Sequence, residues 1–325
     1  MTARIKALGG GVVWGGVTVF FGWPPGEAGW TQMWLSLAAL VLVPLALELR
    51  STVESSAAGA LGFRWLVRAQ VPAALALTVA LILPPGLWAA SAALPWLACT
   101  LGLAAVALAR LKAGGLRRSL DGLGADAAFI FAAGGGVALL ADRAGYVPWG
   151  FGASQVLASA WHLHFAGLLL PLLAGFTQRE LFFWRFPARA AIGLILAVPA
   201  VVFGGMAAQR GWGLSLATAA GMGLGLSGMA VAVLHVRIAL ESRRPRFARF
   251  GLGLAGTALF LSMVVTGLNA LVPSAITEMG RLPLAAWHGG LDALGVGLGG
   301  VLAWRRMSVP LVPGAVAGAS SGDSR

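Results

Sequence analysis

All four histidines of the chain lie in its second half, at His162, His164, His235 and His288, and Asp292 follows the last of them by four residues. Side chains four apart on a helix are neighbours on one face. A carboxylate beside an imidazole orients the ring and stabilises its charged form. Proton carriers, general bases and metal ligands all need such a pair. His162 and His164 are two apart, and positions i and i+2 lie about 200° apart around a helix. A regular helix therefore aims only one of them at a small site. His162 shares its face with Ser159 and Gln155 and is the better candidate, while Gly167 and Pro171 offer a local kink. Thr266 and Asn269 add polar groups shortly before the last of these segments, and Glu278 follows them. Bland readings compete at several positions. His164 fits equally well as a hydrogen-bonding partner of a neighbouring helix. His235, beside Arg237, suits a helix C-terminus, and Asp126 reads as a helix-start residue. Arg179–Glu180 reads as a solvated loop, and Gly134-Gly135-Gly136 as a packing face.

The segments that must position these groups are hydrophobic throughout. Of 325 residues, 58% are hydrophobic and only 10% charged, and the mean hydropathy is +0.85. Soluble chains carry roughly 25% charged residues. The apolar residues fall in blocks of about 20, the length of a membrane-crossing helix, without the alternation of a β-barrel. The fold class expected is all-α, a polytopic transmembrane helix bundle. Its spans are predicted at 7–22, 31–48, 69–84, 87–109, 124–141, 152–176, 190–208, 212–236, 250–272 and 283–304. Pro84-Pro85-Gly86 breaks the third from the fourth.

With the N-terminus inside, 20 of the 23 Lys and Arg residues fall in inside segments, and only Arg143, Arg210 and Arg281 fall outside. That asymmetry predicts cytoplasmic N- and C-termini in the inner (plasma) membrane. The first span reads as retained rather than as a cleaved leader. The net charge of +12 is spread over short loops, so nucleic acid is not an expected partner. Cys99, the only cysteine, excludes an intrachain disulfide. Trp23, Trp30, Trp88, Trp149, Trp184, Trp212 and Trp304 fall where an aromatic belt would lie. The stretch 59–68 reads as a short interfacial helix, and 307–325 as a disordered tail. Residues 1–150 read as scaffold and 151–306 as the half that carries the site.

The segments Trp161-His162-Leu163-His164-Phe165 and Trp287-His288-Gly289, with Asp292-Ala293-Leu294-Gly295, resemble the YndJ-like family of bacterial membrane proteins. In that family an H-x-H-F segment precedes a later H-G segment ending in N-A-L-G. The resemblance implies a shared site at His162, His164 and His288 and covers most of the membrane region. Asp292 stands where the family pattern has Asn, which turns a neutral hydrogen-bonding position into an ionisable one.

Three functions compete. The first is a transporter or permease for a small apolar or amphipathic molecule, with His288–Asp292 coupling proton movement and His162, His164 and Asn269 completing the site. The second is a membrane-embedded enzyme acting on a lipid or isoprenoid by acid–base or metal chemistry. The third is a haem protein with His162 and His288 as axial ligands. No residue pattern requires a cofactor, and the partner that the sequence demands is the lipid bilayer.

Overall fold

Proline pairs and charged turns divide the described residues into ten helices, with no strand among them, in a computed structural model that describes residues 2–51, 57–114, 120–148, 152–181, 185–209, 214–271 and 284–307. They are α1 (Ala3–Phe20), α2 (Glu27–Leu37 continuing through Val43–Ser51), α3 (Ala57–Ile82), α4 (Leu87–Gly114) and α5 (Leu120–Arg143). Then come α6 (Ala153–His164 continuing through Leu170–Glu180), α7 (Arg185–Gln209), α8 (Leu214–Leu240), α9 (Arg246–Leu271) and α10 (Leu284–Gly290 continuing through Gly300–Met307). Every predicted span corresponds to one of them. Seven, namely α2 to α6, α8 and α9, are long and apolar enough to cross a membrane.

Burial separates a centre from a rim. In α2, 94% of the apolar stretch is buried and in α6 83%, against 39% in α3 and α4. The second half of α10 joins this centre, with Val301, Ala303 and Trp304 fully buried. Neighbouring helices pack in hairpins around it: α3 on α4, α4 on α5, α7 on α8 and α8 on α9. The N-terminal ends of α2 and α10 are tied together. Trp34 Nε1 donates to the Ala285 carbonyl at 2.9 Å, and the Ala285 amide donates to Glu27 Oε2 at 2.8 Å.

All three central helices change pitch near their middles. Ala38–Leu42 in α2, Phe165–Leu169 in α6 and Leu291–Gly299 in α10 are π-helical. Proline accounts for two of these. Pro44 and Pro171 lack an amide hydrogen, and each ring opposes the carbonyl four residues earlier, at Leu40 and Gly167, inside the π segments. In α2 a buried side chain covers a carbonyl of this segment, since Gln70 Nε2 donates to Ala39 O. The segment in α10 contains no proline, but Gly295, Gly297 and Gly299 lie within it. The three meet at Gly297, where an added Cβ would fall 2.6 Å from Leu42 Cδ1 and 3.3 Å from Leu169 Cδ1.

Several expectations need correction. Residues 59–68 are the first part of the continuous helix α3 rather than a separate interfacial helix. Trp304 is fully buried, and its indole donates to His235 Nε2 at 3.4 Å, so it belongs to the core and not to an aromatic belt. Trp88 is 79% exposed and suits such a belt. Asp126 is buried rather than placed at a helix start, and Arg110 Nε donates to it at 2.7 Å across α4 and α5. Cys99 is buried. Glu278, Trp149, Trp184, Trp212 and the tail beyond residue 307 lie outside the described residues.

Candidate functional site

Several polar side chains of the second half meet at one cavity, with α6 supplying His162, α10 His288 and Asp292, and α9 the Thr266 hydroxyl. His162 precedes the π segment of α6. Its Nδ1 lies 2.9 Å from the Ala158 carbonyl, which can only accept, so Nδ1 carries the hydrogen and Nε2 is left as a base. The ring lines the cavity.

His164 points elsewhere. It is 1% exposed, its Nδ1–H donates to the Ala160 carbonyl at 2.8 Å, and its Nε2 accepts from Trp96 Nε1–H at 2.9 Å. Both nitrogens are engaged, and accepting from an indole requires the neutral ring. A Cβ added at Gly135 would lie 2.6 Å from His164 Nδ1, so the glycine run of α5 is the surface on which this ring rests.

In α10 the expected pair is present. His288 Nε2 lies 3.6 Å from Asp292 Oδ2, an ion-pair distance too long for a hydrogen bond. Ser262 of α9 completes a cluster. Its hydroxyl donates to Asp292 Oδ1 at 2.5 Å, and its oxygen lies 3.3 Å from His288 Nδ1. Because the hydroxyl hydrogen is committed to Asp292, His288 Nδ1 must donate to Ser262. That leaves Nε2, facing Asp292, as the position where a proton is gained or lost. The hydroxyl is therefore not poised as a nucleophile, which would have to give its hydrogen to the imidazole. Thr266 donates to the Ser262 carbonyl at 3.1 Å.

The cavity has two parts. A vestibule of about 400 Å³ lies at the end of the bundle where α6 and α10 begin and α9 ends. Gln155, Ser159, Trp161, His162, Thr218, Thr266, Asn269 and His288 are among its lining residues. A second pocket, with about 20 Å³ of room, is shared by His162, His288, Thr266 and Asp292 and walled by Phe165, Leu169, Leu170, Leu224, Met263 and Val296. Such a space is about that of one water. Trp161 stands edge-on to His288, with ring centroids 5.4 Å apart. Its indole Nε1–H is buried with no hydrogen-bond partner among the described residues.

Of the residues singled out from sequence, His162, His288 and Asp292 are thus brought together and Asn269 lines the vestibule, whereas His164 is held against Trp96. Ser262 had no distinctive sequence signal, being a lone serine in an apolar span, and although Trp161 opens the first histidine segment, nothing in the sequence marked its Nε1–H as a donor at the cavity. Among the described residues no group of three or more His, Cys, Asp or Glu is placed to hold a metal ion.

A family model described as YndJ-like protein matches residues 33–296, which include both histidine segments and Asp292. No curated protein and no solved structure matches the chain.

Proposed function

The chain belongs to the YndJ-like family, and from that premise we propose that it is a plasma-membrane permease for a small amphipathic solute, with His288 and Asp292 exchanging a proton as the solute moves. The observation that carries this reading is the one-sided cavity. A roomy vestibule with both polar and apolar walls narrows between His162 and His288 to a space of one water at Asp292, and apolar side chains from the π-helical segments of α6 and α10 and their neighbours close it. A binding site open to one side and plugged on the other is what alternating access requires. An ionisable cluster at the constriction is where coupling to protons is expected. The unpartnered Trp161 Nε1–H supplies a donor for an acceptor atom on the solute. On the positive-inside argument both termini are cytoplasmic and the vestibule faces outward.

The test is flux. Purified protein in vesicles carrying an internal pH dye is challenged with a panel of small amphipathic solutes under an imposed proton gradient. An active solute should move protons with it, and Asp292→Asn should cut the coupled rate by about a hundredfold or more. A panel in which no solute moves protons, or an active solute that moves at the wild-type rate in Asp292→Asn, would remove proton coupling. A membrane-embedded enzyme is the second reading, because two imzidazoles facing one cavity also make an acid–base pair. Chemical conversion of the solute, rather than its movement, would decide for it.

A further inference from the structure

A second concave surface lies on the flank of the bundle, away from the histidines. α1, the middle of α2, the start of α9 and the second half of α10 enclose a groove of about 610 Å³. Its walls are apolar, formed by Leu8, Val12, Val41, Leu45, Leu298 and Leu302. Three arginines, Arg4, Arg305 and Arg306, gather at one end, where α1 begins and α10 finishes. Arg305 is committed to Glu48 of α2. Arg4 and Arg306 are exposed, and neither has a carboxylate within ion-pair distance among the described residues. The Arg306 guanidinium instead lies over the Phe247 ring, 5.5 Å from its centroid. Lys6, about half a turn along α1 from Arg4, does not join them, because its ammonium donates to Val67 O of α3.

We propose that this groove is a binding site for one anionic phospholipid of the surrounding leaflet, its phosphate held between Arg4 and Arg306 and one acyl chain lying along α1 toward Val12. The charge asymmetry carries the assignment. A groove that only faced bulk lipid would need no cations, while two unpaired guanidinium groups at the mouth of an apolar channel match a phosphate with a hydrocarbon tail. The dimensions agree, since Arg4 to Val12 is about 12 Å along the helix, a good part of an acyl chain. Val41 and Leu298 belong to the π-helical segments of α2 and α10. The chain of the lipid therefore packs on the same segment of α10 that carries Asp292. This proposal is independent of the solute that the vestibule accepts.

The experiment is native mass spectrometry of the full chain released from nanodiscs of equal phosphatidylglycerol and phosphatidylcholine. Wild-type protein should retain one lipid, with phosphatidylglycerol enriched about tenfold over the bilayer ratio. Arg4→Gln with Arg306→Gln should return the ratio to that of the bilayer. Arg68→Gln with Arg243→Gln removes the same charge outside the groove and should leave the enrichment intact. Gly11→Leu tests the tail end: Gly11 lines the groove, and a Cβ there meets nothing within 4 Å, so leucine fills the channel without crowding the protein. That variant should lose the retained lipid whatever its headgroup, and it keeps the proposal testable if the arginine pair proves essential for folding. No preference in the wild type, an unchanged ratio in the arginine variant or an unchanged lipid count in Gly11→Leu would each overturn it. So would a dimer that carries no lipid, which would give the groove to a second copy of the chain.

Discussion

Replacing His164 with leucine should weaken the fold and leave flux through the bundle intact, the reverse of what the same change at His162 should do. His164 Nε2 is the acceptor for Trp96 Nε1–H at 2.9 Å, and both residues are 1% exposed. Without the imidazole the indole donor is stranded in a dry interior, at a cost of about 1–3 kcal/mol. The Ala160 carbonyl that also loses a contact keeps its helical amide partner, so it adds little. Trp96→Phe alone should cost a similar amount, because it strands Nε2 instead. The double variant removes donor and acceptor together, so its destabilisation should fall short of the sum by about 1–2 kcal/mol. Unfolding of purified protein in mixed detergent micelles, followed by circular dichroism, reads all three values. Strict additivity would mean that the Trp96–His164 contact is not a working hydrogen bond. Loss of flux in a fully stable His164→Leu protein would return His164 to the functional site and refute the argument from its two engaged nitrogens.

Gly297→Val places a branched side chain where Leu42 and Leu169 already meet the backbone of α10, so it should cost about 1–3 kcal/mol by overpacking; wild-type stability would mean that the three π-helical segments are not closely packed there. Arg110→Met should be destabilising by about 3–5 kcal/mol because it takes from the buried Asp126 the guanidinium that donates to it, and adding Asp126→Leu should restore most of the loss; thermal unfolding of the single and double variants checks this. Just beyond the end of α8, on the side where α6 ends, Glu241 accepts from Arg243 and Arg244, and Arg244 also reaches Glu180 at 2.6 Å. Burial works to raise the Glu241 pKa, but the two arginines outweigh it and hold the carboxyl below its ordinary 4.5. Its contribution to stability is therefore present above that pH and lost as pH falls through the lowered value. The stability gap between wild type and Glu241→Gln should close as the pH is lowered well below 4.5, and a gap that widened would show the sign to be wrong.

The helical plan, with seven helices long and apolar enough to cross a membrane, was legible because it rests on chain-local quantities: block length and the Pro84-Pro85-Gly86 breaker. The pairing of His288 with Asp292 was legible for the same reason, since four residues on one helix fix it. The divergence of His162 and His164 also followed from helical geometry alone, although which of them faced the cavity depended on the position of Trp96. Ser262 was out of reach because its contacts with His288 and Asp292 span 26 and 30 residues and arise only when α9 packs on α10. The Arg110–Asp126 pair was nearer to hand, for the two residues bracket one short connection on the same side of the bundle. Pro171 had marked the disturbance in α6, but the π-helical segment of α10 has no proline to announce it. Trp304 was misplaced because an indole near a helix end looks the same in sequence whether it meets headgroups or a buried histidine.

The burial of α2 has a consequence for how the protein is made. This helix is 94% enclosed by protein and carries Thr31, Gln32 and Ser36, all buried. It enters the membrane as the second helix, while Ala285, the partner of its Trp34, lies 251 residues later. At translation rates of about 5–20 residues per second, that interval is roughly 10–50 s. For that time the face of the central helix that α10 will cover must wait beside lipid, or beside a chaperone of the insertion machinery, although Thr31 and Ser36 donate within their own helix. A ribosome that stalls before α10 thus leaves an orphaned interior in the bilayer, and degradation of such truncated chains should be recognised through α2 rather than through their broken ends.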